Sequence, residues 1–164
     1  MIEIADALLL DRFCGREVYP ILRATWNLYR DTQLDQPTLC IQVSAGPGTT
    51  LSEDTVSLGA EPTWEINVVS PALMQWSVRE GATFSVPLGY DEEQGGFVTN
   101  LYYCSHEQTD NNTVEIIAVE GSRLRVRLSG DTIDVNYYDG SKPATRLSAE
   151  VWCEHDAETM RSMS

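Results

Sequence analysis

From Phe97 to Glu154 the sequence alternates apolar and polar residues in short runs, and a turn signal follows each run. The runs read FVTNLYYCSH, TVEIIAVE, GSRLRVRLSG, DTIDVNYYDGSKPA and TRLSAEVWCEH. Successive side chains of a strand point to opposite faces, so this period predicts strands with one covered face and argues against helices. Asp110-Asn111-Asn112, Glu120-Gly121-Ser122, Ser129-Gly130-Asp131 and Tyr138-Asp139-Gly140-Ser141 supply the breaks.

The same period runs upstream. Val18, Pro20, Leu22, Ala24, Trp26 and Leu28 alternate with more polar neighbours, which predicts one long strand with a single buried face and Pro20 at an edge or bulge. Leu39, Ile41 and Val43 mark another strand, Trp64, Ile66 and Val68 a third, and Phe84, Val86 and Leu88 a fourth. AGPGTTLSEDT and GYDEEQGG read as loops. Ile4, Ala5, Leu8, Leu9 and Phe13 recur at helical spacing, so a short N-terminal helix is expected, with an edge strand as the alternative. The expected fold is an antiparallel β-sandwich of about eight or nine strands, with a partly closed β-barrel as the alternative. Residues 1–155 read as one β-sandwich domain and 156–164 as a mobile polar tail.

Length and charge then narrow the function. A chain of 164 residues buries a real core. Its net charge of −14, from 25 acids against 11 bases, opposes binding to phosphate backbones and favours a basic protein partner or plain solubility. No apolar run approaches the roughly 18 residues of a membrane span, and acids stand where a secretory signal carries bases. These features place the chain in the cytoplasm, with neither nucleic acid nor membrane as partner. Cys14, Cys40, Cys104 and Cys153 are scattered and read as reduced thiols.

Four local features bear on chemistry. Both histidines sit in Cys-x-His patterns, Cys104-Ser105-His106 and Cys153-Glu154-His155. Residues two apart share a strand face, so antiparallel pairing of these segments would gather two thiols and two imidazoles, a ligand set for tetrahedral zinc. Against this, Leu147, Ala149, Val151 and Cys153 form the inward face of the last strand, which makes Cys153 a core residue. Zinc is therefore a minor expectation, and no other cofactor is implied. Arg123, Arg125 and Arg127 alternate with Leu124, Val126 and Leu128 and lie on one outer face, to bind an anion or to pair with acids of neighbouring strands, Glu115 and Glu150 among them. Tyr102-Tyr103 and Tyr137-Tyr138 each send one ring outward, and with Trp76 and Tyr90 they could form a patch for a sugar ring or a protein. The segment from Asp131 to Asp139 is rich in oxygen ligands but lacks the spacing of a calcium loop.

No nucleophile elbow, phosphate cradle, metalloprotease helix or dinucleotide fingerprint is present. The leading expectation is a non-enzymatic module for protein interaction or self-association. Binding of a small carbohydrate through exposed Tyr and Trp comes second, and a metal protein built on the Cys-x-His pairs third.

Overall fold

The computed structural model describes residues 6–31, 36–50, 60–73, 77–93, 95–103 and 105–156. These hold thirteen strands and one short 3-10 helix, Pro71–Leu73. The strands are β1 Ala7–Arg12, β2 Gly15–Asp31, β3 Gln36–Ala45, β4 Thr49–Thr50, β5 Thr63–Val69, β6 Thr83–Val86, β7 Tyr90–Asp91, β8 Gly96–Phe97, β9 Thr99–Tyr102, β10 His106–Glu107, β11 Asp110–Glu120, β12 Arg123–Thr132 and β13 Thr145–His155. One connected sheet follows the order β10-β9-β5-β3-β2-β1-β13-β12-β11-β6, with β4 also on β2, while β7 and β8 form a separate hairpin. Every pairing but the short parallel contact of β13 with β2 is antiparallel, and among the described residues the ends of the path, β10 and β6, do not pair with each other, so the sheet is open rather than a closed barrel.

The long strand β2 is where the sheet bends. Its first part buries odd-numbered residues, Glu17 and Tyr19, while its second part buries Ala24, Thr25 and Asn27, with Trp26 and Leu28 partly buried against the core. The switch falls between Ile21 and Arg23, where the register against β3 slips, and Leu22 is left 72% exposed. A bulge inserts one residue and so inverts every later side chain. The expected single buried face therefore fails at Leu22, and beyond it residues of both parities are covered. The consequence is architectural: β2 pairs with β1 before the bulge and with β3 beyond it, so one strand serves both halves of the sheet.

The two halves share one core. Trp64 of β5 packs over Gly130 of β12, where an added Cβ would sit 3.2 Å from the indole and 2.5 Å from Asn112 Oδ1. Leu39, Ile41, Val43, Ile66 and Leu101 from one half join Leu124, Val126, Leu128, Leu147 and Val151 from the other. Each such side chain contributes about 1.5–3 kcal/mol on burial. β12 and β13 follow the sequence period: Leu124, Val126 and Leu128 are inward, as are Leu147, Ala149, Val151 and Cys153.

Three local expectations are corrected. Ala7–Arg12 is a strand, neither helical nor at an edge, since β1 lies between β2 and β13. Its run Leu8-Leu9-Leu10 carries no strand period, and hydrogen bonding on both sides overrides local pattern. Ile4 and Ala5 lie outside the described residues. Asn111-Asn112 is not a turn but a bulge inside β11: Asn111 has φ 52°, and the buried Asn112 amide donates to Val86 and Thr109 carbonyls. Strand β6 ends at Val86, because Pro87 has no N–H to continue the ladder, and Leu88 is 67% exposed.

Candidate functional site

The residues singled out by sequence do not converge. β13 pairs with β12, β1 and the far part of β2, whereas β10 pairs with β9. Among the described residues, the antiparallel pairing that the zinc reading requires is not formed. Cys153 is buried with its thiol pushed up to about 12 by desolvation, and its strand partner is Leu124. His155 packs on Trp26 at 4.7 Å, and His106 on Tyr102 at 4.7 Å. Cys104 and Trp76 lie outside the described residues.

The arginine row meets acids. Arg127 reaches Glu115 at 3.1 Å and Glu150 at 2.9 Å, Arg125 reaches Glu150 at 2.6 Å, and Arg123 reaches Glu154 at 3.0 Å while stacking on Trp152. This is a cross-strand charge ladder, and pairs of this exposed kind contribute about 0.2–1 kcal/mol each.

The tyrosine pairs separate by exposure. Tyr102 and Tyr138 are exposed, Tyr103 is buried, and Tyr137 packs edge-on against Phe13 with Lys142 above both rings. Tyr103 belongs to a sealed polar network that the sequence did not announce. Arg12 holds Asp134 through two hydrogen bonds of 2.9 Å and Glu17 through one of 3.0 Å. Tyr19 and Tyr103 both donate to Glu17 Oε1, at 2.5 and 2.9 Å, and their hydroxyls lie 2.7 Å apart. Thr145 adds a hydrogen bond to Asp134. Burial alone would raise the Asp134 carboxyl, but hydrogen bonds from Arg12, the Asn136 N–H and Thr145 outweigh it and hold the group below its usual range. Arg12, Glu17 and Asp134 are at most 6% exposed. A network this enclosed ties the β1–β2 turn to the β12–β13 connection and offers no path to a substrate. Asp134, counted among candidate calcium oxygens, is spent on Arg12.

A second polar cluster covers the outer face of β3, β5 and β9. Glu65 accepts from Gln42 at 2.6 Å and from Asn67 at 3.3 Å, with Asn100 beside it in register. Asn100 in turn touches His106. Sequence pattern marked these only as alternates of Ile41, Ile66 and Leu101.

The remaining feature is the β7–β8 hairpin, read from sequence as a polar loop. Tyr90 and Phe97 face each other edge-on at 5.5 Å, 37% and 48% exposed, beside Leu88. Asp91, Glu92 and Glu93 follow Tyr90, and a groove of about 520 Å³ runs between these acids and Leu88, Val98 and Gln108. The base of the hairpin is fixed. Gly89 is buried so tightly that an added Cβ would stand 2.2 Å from both Thr109 O and Thr99 Oγ1. Its N–H donates to Asp110, and its carbonyl accepts from Val98 and Thr99. Thr99 and Thr109 exchange hydrogen bonds of 2.8 Å beneath it. The available signal was the near-symmetric spacing of Tyr90 and Phe97 around acids and glycines, which places two rings on one hairpin face.

No protein-family model, curated protein or solved structure matches the chain. Among the described residues no group of three or more His, Cys, Asp or Glu side chains is placed to hold a metal, and no helix is long and apolar enough to cross a membrane.

Proposed function

We propose that the protein is a non-enzymatic interaction module, with the bent sheet serving as a sandwich-like scaffold that presents the β7–β8 hairpin to a protein partner. One observation carries this reading: Leu88, Tyr90 and Phe97 are displayed to solvent on a hairpin whose base is locked at Gly89. Apolar side chains gain free energy by leaving water, and a cluster of them left outside the core marks a contact surface. A pre-formed hairpin loses little conformational freedom on docking, which leaves more of the contact energy for affinity. The buried cysteines Cys40 and Cys153 are free thiols, which suits the reducing cytoplasm.

The test is affinity capture followed by reconstitution with the purified captured protein. Wild type and an Arg125→Ala surface control should retain the partner, and Tyr90→Ser/Phe97→Ser should lose it. Equal retention by the hairpin variant, or no stable partner at all, would contradict the reading.

A second reading, binding of a small carbohydrate, is favoured by the outer face of β3, β5 and β9, where Gln42, Glu65 and Asn100 lead to the exposed Tyr102 ring. It predicts that a glycan screen yields a ligand whose binding Tyr102→Ala abolishes. Unchanged binding in that variant would end it.

A further inference from the structure

Resting on the hairpin reading, we infer that the occupant of the β7–β8 groove is a cationic segment with apolar side chains from a different protein, not a second copy of this chain. The groove sets the chemistry. Leu88 and Val98 supply its apolar wall, and Asp91, Glu92 and Glu93 its rim. No ion pair among the described residues engages Glu92 or Glu93, both of which are exposed. A cation from elsewhere therefore meets carboxylates that need not abandon an existing partner, and the chain's net charge of −14 steers such a segment toward it.

Five of the chain's eleven cations are differently placed. Arg16, Arg23, Arg123, Arg125 and Arg127 each lie within 3.1 Å of a carboxylate oxygen. Docking any of them on the hairpin of a second copy would break one ion pair to make another. The other groove, about 420 Å³ where β2 and β13 meet, illustrates the point: Arg23 and Arg123 enter it together with Asp6, Glu154 and Asp156. A second copy would also bring another charge of −14 to the encounter. Specificity here comes from repulsion of the wrong partner as much as attraction of the right one.

The experiment uses the full chain and short synthetic peptides: one alternating arginine and leucine, one alternating glutamate and leucine, and one alternating arginine and serine. Binding is read by fluorescence anisotropy and by backbone amide shifts. The arginine–leucine peptide should bind, move the signals of residues 88–98, and weaken as salt rises. The other two should bind at least about tenfold more weakly, equivalent to about 1.4 kcal/mol. Glu92→Lys/Glu93→Lys should invert the preference between the first two peptides, and wild type should stay monomeric by analytical ultracentrifugation. Equal binding of both leucine peptides would overturn the charge inference and leave the hairpin as a docking surface. Binding that leaves residues 88–98 unmoved, or that survives Tyr90→Ser/Phe97→Ser, would overturn both. Self-association lost in that double variant would show that the occupant is a second copy. Failure of every peptide to bind would overturn this inference, while the partner-capture experiment would still decide the wider reading.

Discussion

Two regions of the molecule are built from the same kinds of side chain and do opposite things. At one, Tyr19, Tyr103, Glu17 and Asp134 gather around Arg12, and every one of these groups is sealed in the interior. At the other, Tyr90, Phe97, Glu92 and Glu93 stand exposed on a hairpin, with Asp91 half-buried beside them. Aromatic rings beside carboxylates are therefore no signal of function by themselves. What separates the regions is exposure: the first cluster is buried, whereas Glu92 and Glu93 stand in solvent outside any ion pair among the described residues. The sealed cluster is satisfied and rigid, and its role is to hold the bent sheet together. The hairpin is packed tightly at its Gly89 base and carries exposed rings and the exposed acids Glu92 and Glu93, and the proposed contact rests on that.

The comparison is broken most severely at Arg12. Arg12→Met leaves Glu17 and Asp134 facing each other in the interior, and removal of one partner of a buried pair costs about 3–5 kcal/mol. Urea unfolding should show a loss of that order with the hairpin still able to bind while the chain remains folded. A loss below about 1 kcal/mol would mean the cluster is not what ties the two connections together.

Gly89→Ala attacks the hairpin's anchorage instead. The new methyl must displace Thr99 or Thr109, and overpacking of this kind costs about 1–3 kcal/mol. Amide exchange should rise first in residues 89–98. Unchanged exchange there would show that the base is looser than the packing around Gly89 implies.

Acid sharpens the contrast further. The folded-state pKa of Asp134 is depressed, so its contribution is complete above the ordinary carboxylate value of about 3.9 and is lost as pH falls through the lower folded value. Unfolding free energy should decline with acid below about pH 4, and Asp134→Asn should flatten that decline. An identical acid profile in the variant would remove Asp134 from the account.

These contrasts also explain what the sequence could reveal. Strand period placed the cores of β13 and of β12 as far as Leu128, because both strands keep one face covered, but Ser129-Gly130-Asp131 was read as a break where β12 runs on to Thr132. It failed on β2, where an extra residue at Leu22 shifts the register, residues of both parities are covered beyond it, and no local signal distinguishes a bulge from a continuing strand. It failed on β1, where pairing on both sides makes Leu8-Leu9-Leu10 a strand despite its helical spacing. The arginine row was legible as a ladder, since Glu115 and Glu150 were available at the right parity. The Arg12 cluster was not: Asp134 lies 122 residues from Arg12 and Tyr103 lies 86 from Glu17, and only the bent sheet brings them together. The hairpin was missed because its acids and glycines dominate composition, while the proposed contact rests on two rings and one buried glycine.

The most direct test of the central claim, that the hairpin is displayed rather than structural, is the unfolding free energy of Tyr90→Ser/Phe97→Ser. Exposed side chains contribute little to folding, so the account predicts a change of no more than about 1 kcal/mol with the denaturant slope unchanged. A loss of several kcal/mol, comparable to that of Arg12→Met, would show that the two rings belong to the core and would contradict the account.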